Sequence, residues 1–305
     1  MSKKNNKRKT NKKMMLHKSS KHSLKKLECS PKLEGDVIDY TCYSVNELHK
    51  LKMLWNSRHS DDEIITNSTK AVHDELSSRL QKVCDKESCW LKQLMNFQEI
   101  KKNNFLKSFA PVSPASWLKN PNEWLSSSDI SKVMKQYEDT YKCFSFIGPS
   151  PIDFDKRKLY GTCVWEELCN FNLGNFIDDK KTKIGIIFNT DPHYLSGSHW
   201  VSLFINIKKK QIMYFDSVGT KIPSQIMTFV ERVKDQGLKH HIAFKFDTNE
   251  GFSHQKSNTE CGIYSLYFIV HMLKDKINER YLKTHRIGDK HVEKFRKVYF
   301  NDNLL

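Results

Sequence analysis

The chain has 305 residues, 38% of them hydrophobic, and carries a formal net charge of +16. That length holds one large domain and an appendage, while no apolar run reaches the roughly 18 residues of a membrane span and the polar N-terminus does not read as a signal peptide. Eight cysteines scattered through a chain rich in Lys and Glu are not the dense framework of a small secreted domain, so free thiols in a reducing compartment are expected.

The first element is a basic leader. Eleven Lys or Arg and no acid lie between Met1 and Lys26. Without apolar periodicity, residues 1–35 read as a disordered tail suited to nuclear import or to non-specific DNA contact through phosphate neutralisation. Residues 36–110 then show helical periodicity. VNELHKLKMLW and AVHDELSSRLQKVC place apolar residues three and four apart, with Ser60-Asp61-Asp62 as the start signal between them. Pro111, Pro114 and Asn120-Pro121-Asn122 mark the passage into a second domain, 111–305.

Chemistry concentrates in that second domain. Trp200 to Ile207 reads as a strand with His199 at its mouth, Lys208 to Lys210 as a polar turn, and Gln211 to Phe215 as a second strand ending at Asp216. Such a hairpin folds Asp216 back toward His199, although one residue of slip would turn either side chain to the other face. Farther on, Cys261 is followed by Gly262 and by Ile263, Leu266, Tyr267, Val270 and Leu273 at helical spacing. A thiol in the first turn of a helix meets the positive end of the macrodipole and free N–H groups, which favour a thiolate. Gln255, six residues upstream, has an amide able to donate to a developing oxyanion. Base, orienter, oxyanion donor and nucleophile thus follow one another as His199, Asp216, Gln255 and Cys261.

Four local motifs in this order resemble the ubiquitin-like-protein proteases and the related adenovirus-type proteases. They are NEWLSSSDISKVMKQYE, the His-Trp step at 199–200, YFDS, and Gln-x5-Cys-Gly at 255–262. ESCWLKQ at 87–93, IDFD at 152–155 and HQKSNTECG at 254–262 point to the large-DNA-virus branch that includes the African swine fever virus polyprotein protease.

The resemblance implies a cysteine endopeptidase that cuts protein substrates after Gly-Gly-type sites and needs no metal or organic cofactor. It implies a role in maturing structural precursors, in the virion and host cytoplasm. The alternatives are a deconjugase for ubiquitin or a ubiquitin-like modifier, and an inactive binding module anchored by its basic tail. It also implies that Trp124, opening the helix after WL, and Trp200 clamp a slot too narrow for any Cβ. The family's WL-Asn-Asp continues here as Trp124-Leu125-Ser126-Ser127, which puts the contacts of those polar residues in doubt.

Other candidates are set aside. Cys84 and Cys89 with Cys163 and Cys169 lack the spacing of a zinc knuckle and read as buried structural thiols. His254 beside Gln255 is a weaker base than His199 at its strand mouth, and Asp191 and His193 read as loop-shaping residues. The expected fold is α+β: a mostly antiparallel central sheet packed on the helix led by Cys261, with a helical N-terminal arm.

Overall fold

The computed structural model describes residues 28–102 and 104–302. Most of the basic leader, and with it the expected DNA-contacting stretch, lies outside the described residues. Residues 28–35, read from sequence as part of that leader, are tied to the arm. Cys29 forms a disulfide with Cys42, and the Ala110 N–H donates to the Glu28 carbonyl at 2.8 Å.

The arm contains α1 (Val45–Asn56), α2 (Thr69–Leu80), α3 (Glu87–Leu94) and α4 (Phe97–Lys102). Ser44 starts α1 with a capping box closed by Glu47. The expected start at Ser60–Asp62 is not a helix. Instead, Asn56 grips buried Ile64 through its N–H and carbonyl at 2.9 and 3.1 Å, and Lys52 donates to the Ile65 and Thr66 carbonyls. This holds the chain extended until α2 begins after Ser68. Leu48, Leu51, Val72, Leu76, Trp90 and Phe105 close a separate core.

Beyond the arm come α5 (Ser127–Thr140), β1 (Phe144–Pro151), α6 (Glu166–Cys169) and α7 (Leu173–Asp178), then β2 (Lys183–Asn189), β3 (Trp200–Asn206) and β4 (Gln211–Phe215). There follow α8 (Ser224–Lys239), β5 (Lys245–Thr248), α9 (Cys261–Leu273) and three short helices, α10 (Glu279–Thr284), α11 (Asp289–Val292) and α12 (Arg296–Tyr299). Five strands form one sheet in sequence order. Its centre, β2–β3 and β3–β4, is antiparallel as expected, while the outer pairs β1–β2 and β4–β5 are parallel. Those outer pairs are joined through helices, which carry the chain back before the next strand is laid down.

Alternation along the strands builds two cores. Phe204, Met213 and Phe215 face α9 and α5, whereas Leu203, Ile205, Ile212 and Tyr214 face α8. Buried on all sides, α9 is therefore apolar around almost its whole circumference.

Six of the eight cysteines are paired, contrary to the expectation of free thiols: Cys29–Cys42, Cys84–Cys89 and Cys163–Cys169. Each bridge closes a short loop, with partners at most 13 residues apart. The scatter of cysteines over the whole chain hid these local pairs. Cys143 and Cys261 remain free.

Candidate active site

The site begins with the register of one hairpin. Asn206 pairs with Gln211 and Ser202 with Phe215, so the residue before β3 and the residue after β4 emerge at the same end of the sheet. There the His199 Nε2 lies 2.6 Å from Asp216 Oδ1. Asp216 has no exposed surface. Its carboxylate accepts from the Val218 N–H at 3.0 Å, from the Thr220 N–H at 2.9 Å and from the Thr220 hydroxyl. Asn249 brackets its backbone, accepting from the Asp216 N–H at 2.9 Å and donating to its carbonyl at 2.7 Å.

These contacts set the charges. Burial penalises ionised Asp216, yet the His199 and Thr220 contacts and the Val218 N–H hold its pKa below the usual carboxylate value. Burial likewise opposes a charged His199. The hydrogen bond with Asp216, together with the influence of the nearby Cys261 thiol, outweighs it and pushes the imidazole up to about 9. With Nε2 committed to Asp216, Nδ1 is the nitrogen left for the thiol.

The sign of the pH dependence follows. His199, raised above its ordinary 6.5, adds stability that is complete below that pH and is lost as pH rises through about 9. Asp216, lowered from 3.8, adds stability above that pH that is lost as pH falls through its depressed value. For an enzyme using an imidazolium–thiolate pair, the alkaline limb of kcat/KM is expected near pH 9. Asp216→Asn should move that limb downward toward 6.5. An unmoved limb in a pH–rate profile would show that another group sets it.

Cys261 is the first residue of α9 and is buried. Its neighbour Gly262 is required by close packing: a Cβ there would lie 2.9 Å from the Leu125 Cβ. The Leu125 carbonyl in turn accepts from Trp200 Nε1 at 3.0 Å. Leu125 thus touches both the strand that follows His199 and the helix that carries the thiol. Trp200 is buried beside His199, while Trp124 keeps 42% of its surface exposed. Trp124 precedes α5 rather than opening it. The departure at Ser126 has a local role, since Ser126 caps α5 in a capping box with Asp129.

Gln255 is buried, with its amide oriented by two bonds. Ser217 Oγ donates to Oε1 at 2.6 Å, and Nε2 donates to the Ser257 carbonyl at 2.6 Å. An amide nitrogen has a second N–H, which these two bonds do not use. Gln255→Ala is expected to lower kcat by about 10²–10³. Ser217→Ala, which only frees the amide to rotate, should cost roughly 3–10-fold. Steady-state kinetics with equal losses for the two would place Ser217 in a different role.

His254 is excluded as a base by its contacts. Fully buried between Phe215 and Phe252, it engages the Leu282 carbonyl through Nε2 at 2.9 Å and the Ile287 N–H through Nδ1 at 3.1 Å. Burial drives its pKa down to about 4. His193 does shape its loop: its N–H and Nδ1 reach the two oxygens of Asp153 at 2.8 and 2.7 Å.

Sequence reading missed Ser217, Thr220, Asn249 and the Glu260–Arg296 pair. The first two had a visible signal, standing within four residues of Asp216 in YFDSVGT. The others are brought in by tertiary packing.

Residues 127–304 match the Ulp1 protease family, C-terminal catalytic domain. A cysteine protease of African swine fever virus is 30% identical over 260 residues, covering 78% of this chain and 93% of the viral protein. A protein of Acanthamoeba polyphaga mimivirus is 27% identical over 296 residues, 90% of this chain and 93% of that one. The crystal structure of the African swine fever virus protease shares the fold, with a TM-score of 0.62 at 22% identity over 90% of this chain and 95% of that one. With more than half of its length matching that family's catalytic domain, the chain belongs to the Ulp1 protease family and is a cysteine peptidase.

Proposed function

We propose that this peptidase cleaves protein substrates after Gly-Gly-type sites, as a viral enzyme maturing structural precursors, through Cys261, His199, Asp216 and Gln255. The observation that carries the reading is the 2.6 Å contact between His199 and buried Asp216, at the mouth of the strand that packs on the helix led by buried Cys261. The Cys261 thiolate attacks the glycine carbonyl, and Gln255 Nε2 with the Cys261 N–H steadies the oxyanion. His199 then gives its proton to the departing amine, leaving a thioester that water hydrolyses. Asp216 stays ionised throughout and holds the imidazolium.

Glycine selectivity rests on Trp200, fixed beside His199 by its bond to Leu125, and on exposed Trp124. Two rigid rings select by excluding side chains. A second reading, removal of a ubiquitin-like modifier, is favoured by the name SUMO-1 cysteine protease borne by an African swine fever virus relative 30% identical over 260 residues. Purified enzyme is to be incubated with a Gly-Gly-X precursor peptide and with a SUMO conjugate side by side. The first reading expects faster peptide cleavage, nearly eliminated when the glycine before the scissile bond becomes alanine. Preference for the conjugate would favour the second, and equal cleavage of the alanine peptide would remove the slot.

The eleven basic residues near the N-terminus supply contact with DNA. Deleting residues 1–27 should weaken DNA binding and flatten its salt dependence, while peptide cleavage in DNA-free buffer is unchanged. Loss of that cleavage would assign the segment to catalysis instead.

A further inference from the structure

Helix α9 starts without the side-chain cap that α1 and α5 have. Ser44 and Ser126 each close a capping box, whereas Glu260, in the cap position of α9, makes no side-chain bond to the helix it precedes. Its backbone does join the helix, accepting from the Tyr264 N–H at 2.8 Å. Its carboxylate is buried and turned elsewhere. Arg296 donates from Nε to Oε2 at 3.1 Å and from Nη2 to Oε1 at 3.0 Å, and the Thr259 hydroxyl donates to Oε1 at 3.2 Å. Only 1% of Glu260 and 6% of Arg296 is exposed, so water screens this pair little.

Arg296 is committed to this one carboxylate. Both of its hydrogen bonds go to Glu260, and its buried Nη1 has no hydrogen-bond partner among the described residues. The Trp117 ring lies 4.6 Å from the guanidinium carbon and closes the other side. Glu260 in turn stands one residue before the thiol. The first-turn N–H groups of a helix have no intrahelical partner and attract anions. In thiol hydrolysis those anions are the thiolate and the oxyanion. A carboxylate one residue away would compete for the same N–H groups and repel the thiolate. Gripped through both oxygens, that carboxylate is instead held off the helix start, and the guanidinium cancels most of its field.

We propose that Arg296 is a positioning residue for the nucleophile, acting through Glu260: it keeps a buried negative charge away from the start of α9, where the Cys261 thiolate forms. The role rests on the reading of Cys261 as the nucleophile. Arg296 itself does not touch the reacting atoms.

The test compares full-length wild type with Arg296→Met, Glu260→Gln and the double variant. Each is alkylated with iodoacetamide at pH 7, below its melting temperature, and labelling of Cys261 and Cys143 is timed by mass spectrometry. Arg296→Met should label Cys261 about tenfold more slowly, the scale of an unneutralised like charge close by in a partly buried site. Glu260→Gln, which leaves the guanidinium without its carboxylate, should label about threefold faster. The double variant should recover most of the Arg296→Met loss, since neither charge remains. A pair that merely braces the helix would slow labelling in all three variants, and that pattern would overturn the proposal. So would an Arg296→Met rate equal to that of the wild type, or a Glu260→Gln rate no faster than it. The Glu260→Gln result stands even where Arg296→Met fails to fold. Labelling confined to Cys143 in the wild type would remove Cys261 as the nucleophile, and the role of Arg296 with it.

Discussion

Alanine at Cys261 is expected to lower peptide hydrolysis by about 10⁶-fold, with His199→Ala causing a loss of similar size. The double variant should be no worse than either single one, because thiol and imidazole act as one device: without the base the thiol is not activated, and without the thiol the base has nothing to activate. Asp216→Ala should cost less, about 10⁴-fold, since it removes only the orientation and charge support of the ring. Folding should survive at Cys261, where alanine is smaller and a better helix former at the start of a 13-residue helix. Asp216 differs in this respect. Its carboxylate also gathers Val218 and Thr220, so part of its loss should appear as a lower Tm. Stopped assays by mass spectrometry, read beside circular dichroism melts, separate the two effects. A double variant much worse than either single one would show that thiol and imidazole work independently.

Removal of the Arg296 guanidinium should have the largest effect on stability, about 3–5 kcal/mol for Arg296→Ala. Arg296 donates from Nε and Nη2 to the two carboxylate oxygens of Glu260 at 3.1 and 3.0 Å, and both side chains are buried. Its guanidinium carbon also lies 4.6 Å from the centre of the Trp117 ring. Glu260 is the residue immediately before α9, and its carbonyl accepts from the Tyr264 N–H at 2.8 Å. Loss of the arginine therefore leaves an uncompensated carboxylate next to the nucleophile. Truncating both partners, as Glu260→Gln with Arg296→Met, should recover much of the loss because no buried charge remains. Urea unfolding of the single and the double variant checks this. A single-variant cost below about 1 kcal/mol, the range of exposed pairs, would show that water reaches the pair.

The parts of the site that were legible from sequence are those with a local periodic signal. The apolar run after His199, the Lys208–Lys210 turn and the spacing behind Cys261 each define an element by itself, and each element carries its functional residue at its end. Register was not legible, because it depends on the ladder from Asn206–Gln211 to Ser202–Phe215. The parallel pairings of β1 and β5 depend on helical crossovers that bring distant segments together. Arg296 lies 36 residues from Glu260, and nothing in either local sequence announces the pair. Ser60-Asp61-Asp62 carried a proper start signal, but Asn56 and Lys52 capture the following backbone and delay the helix to Thr69. Cys84 and Cys89 were read as buried structural thiols, but five residues of separation lets them form a disulfide.

The central claim, that Cys261 is the nucleophile and His199 its activator, is tested most directly by labelling. A peptide ending in Gly-Gly-vinyl sulfone is reacted with the full chain, and the modified residue is located by mass spectrometry. Cys143 is the internal control, being the other free cysteine. The account predicts a single adduct on Cys261, none on Cys143, and labelling at least a hundredfold slower in His199→Ala. Modification of Cys143 with parallel loss of activity, or an unchanged labelling rate in His199→Ala, would contradict it.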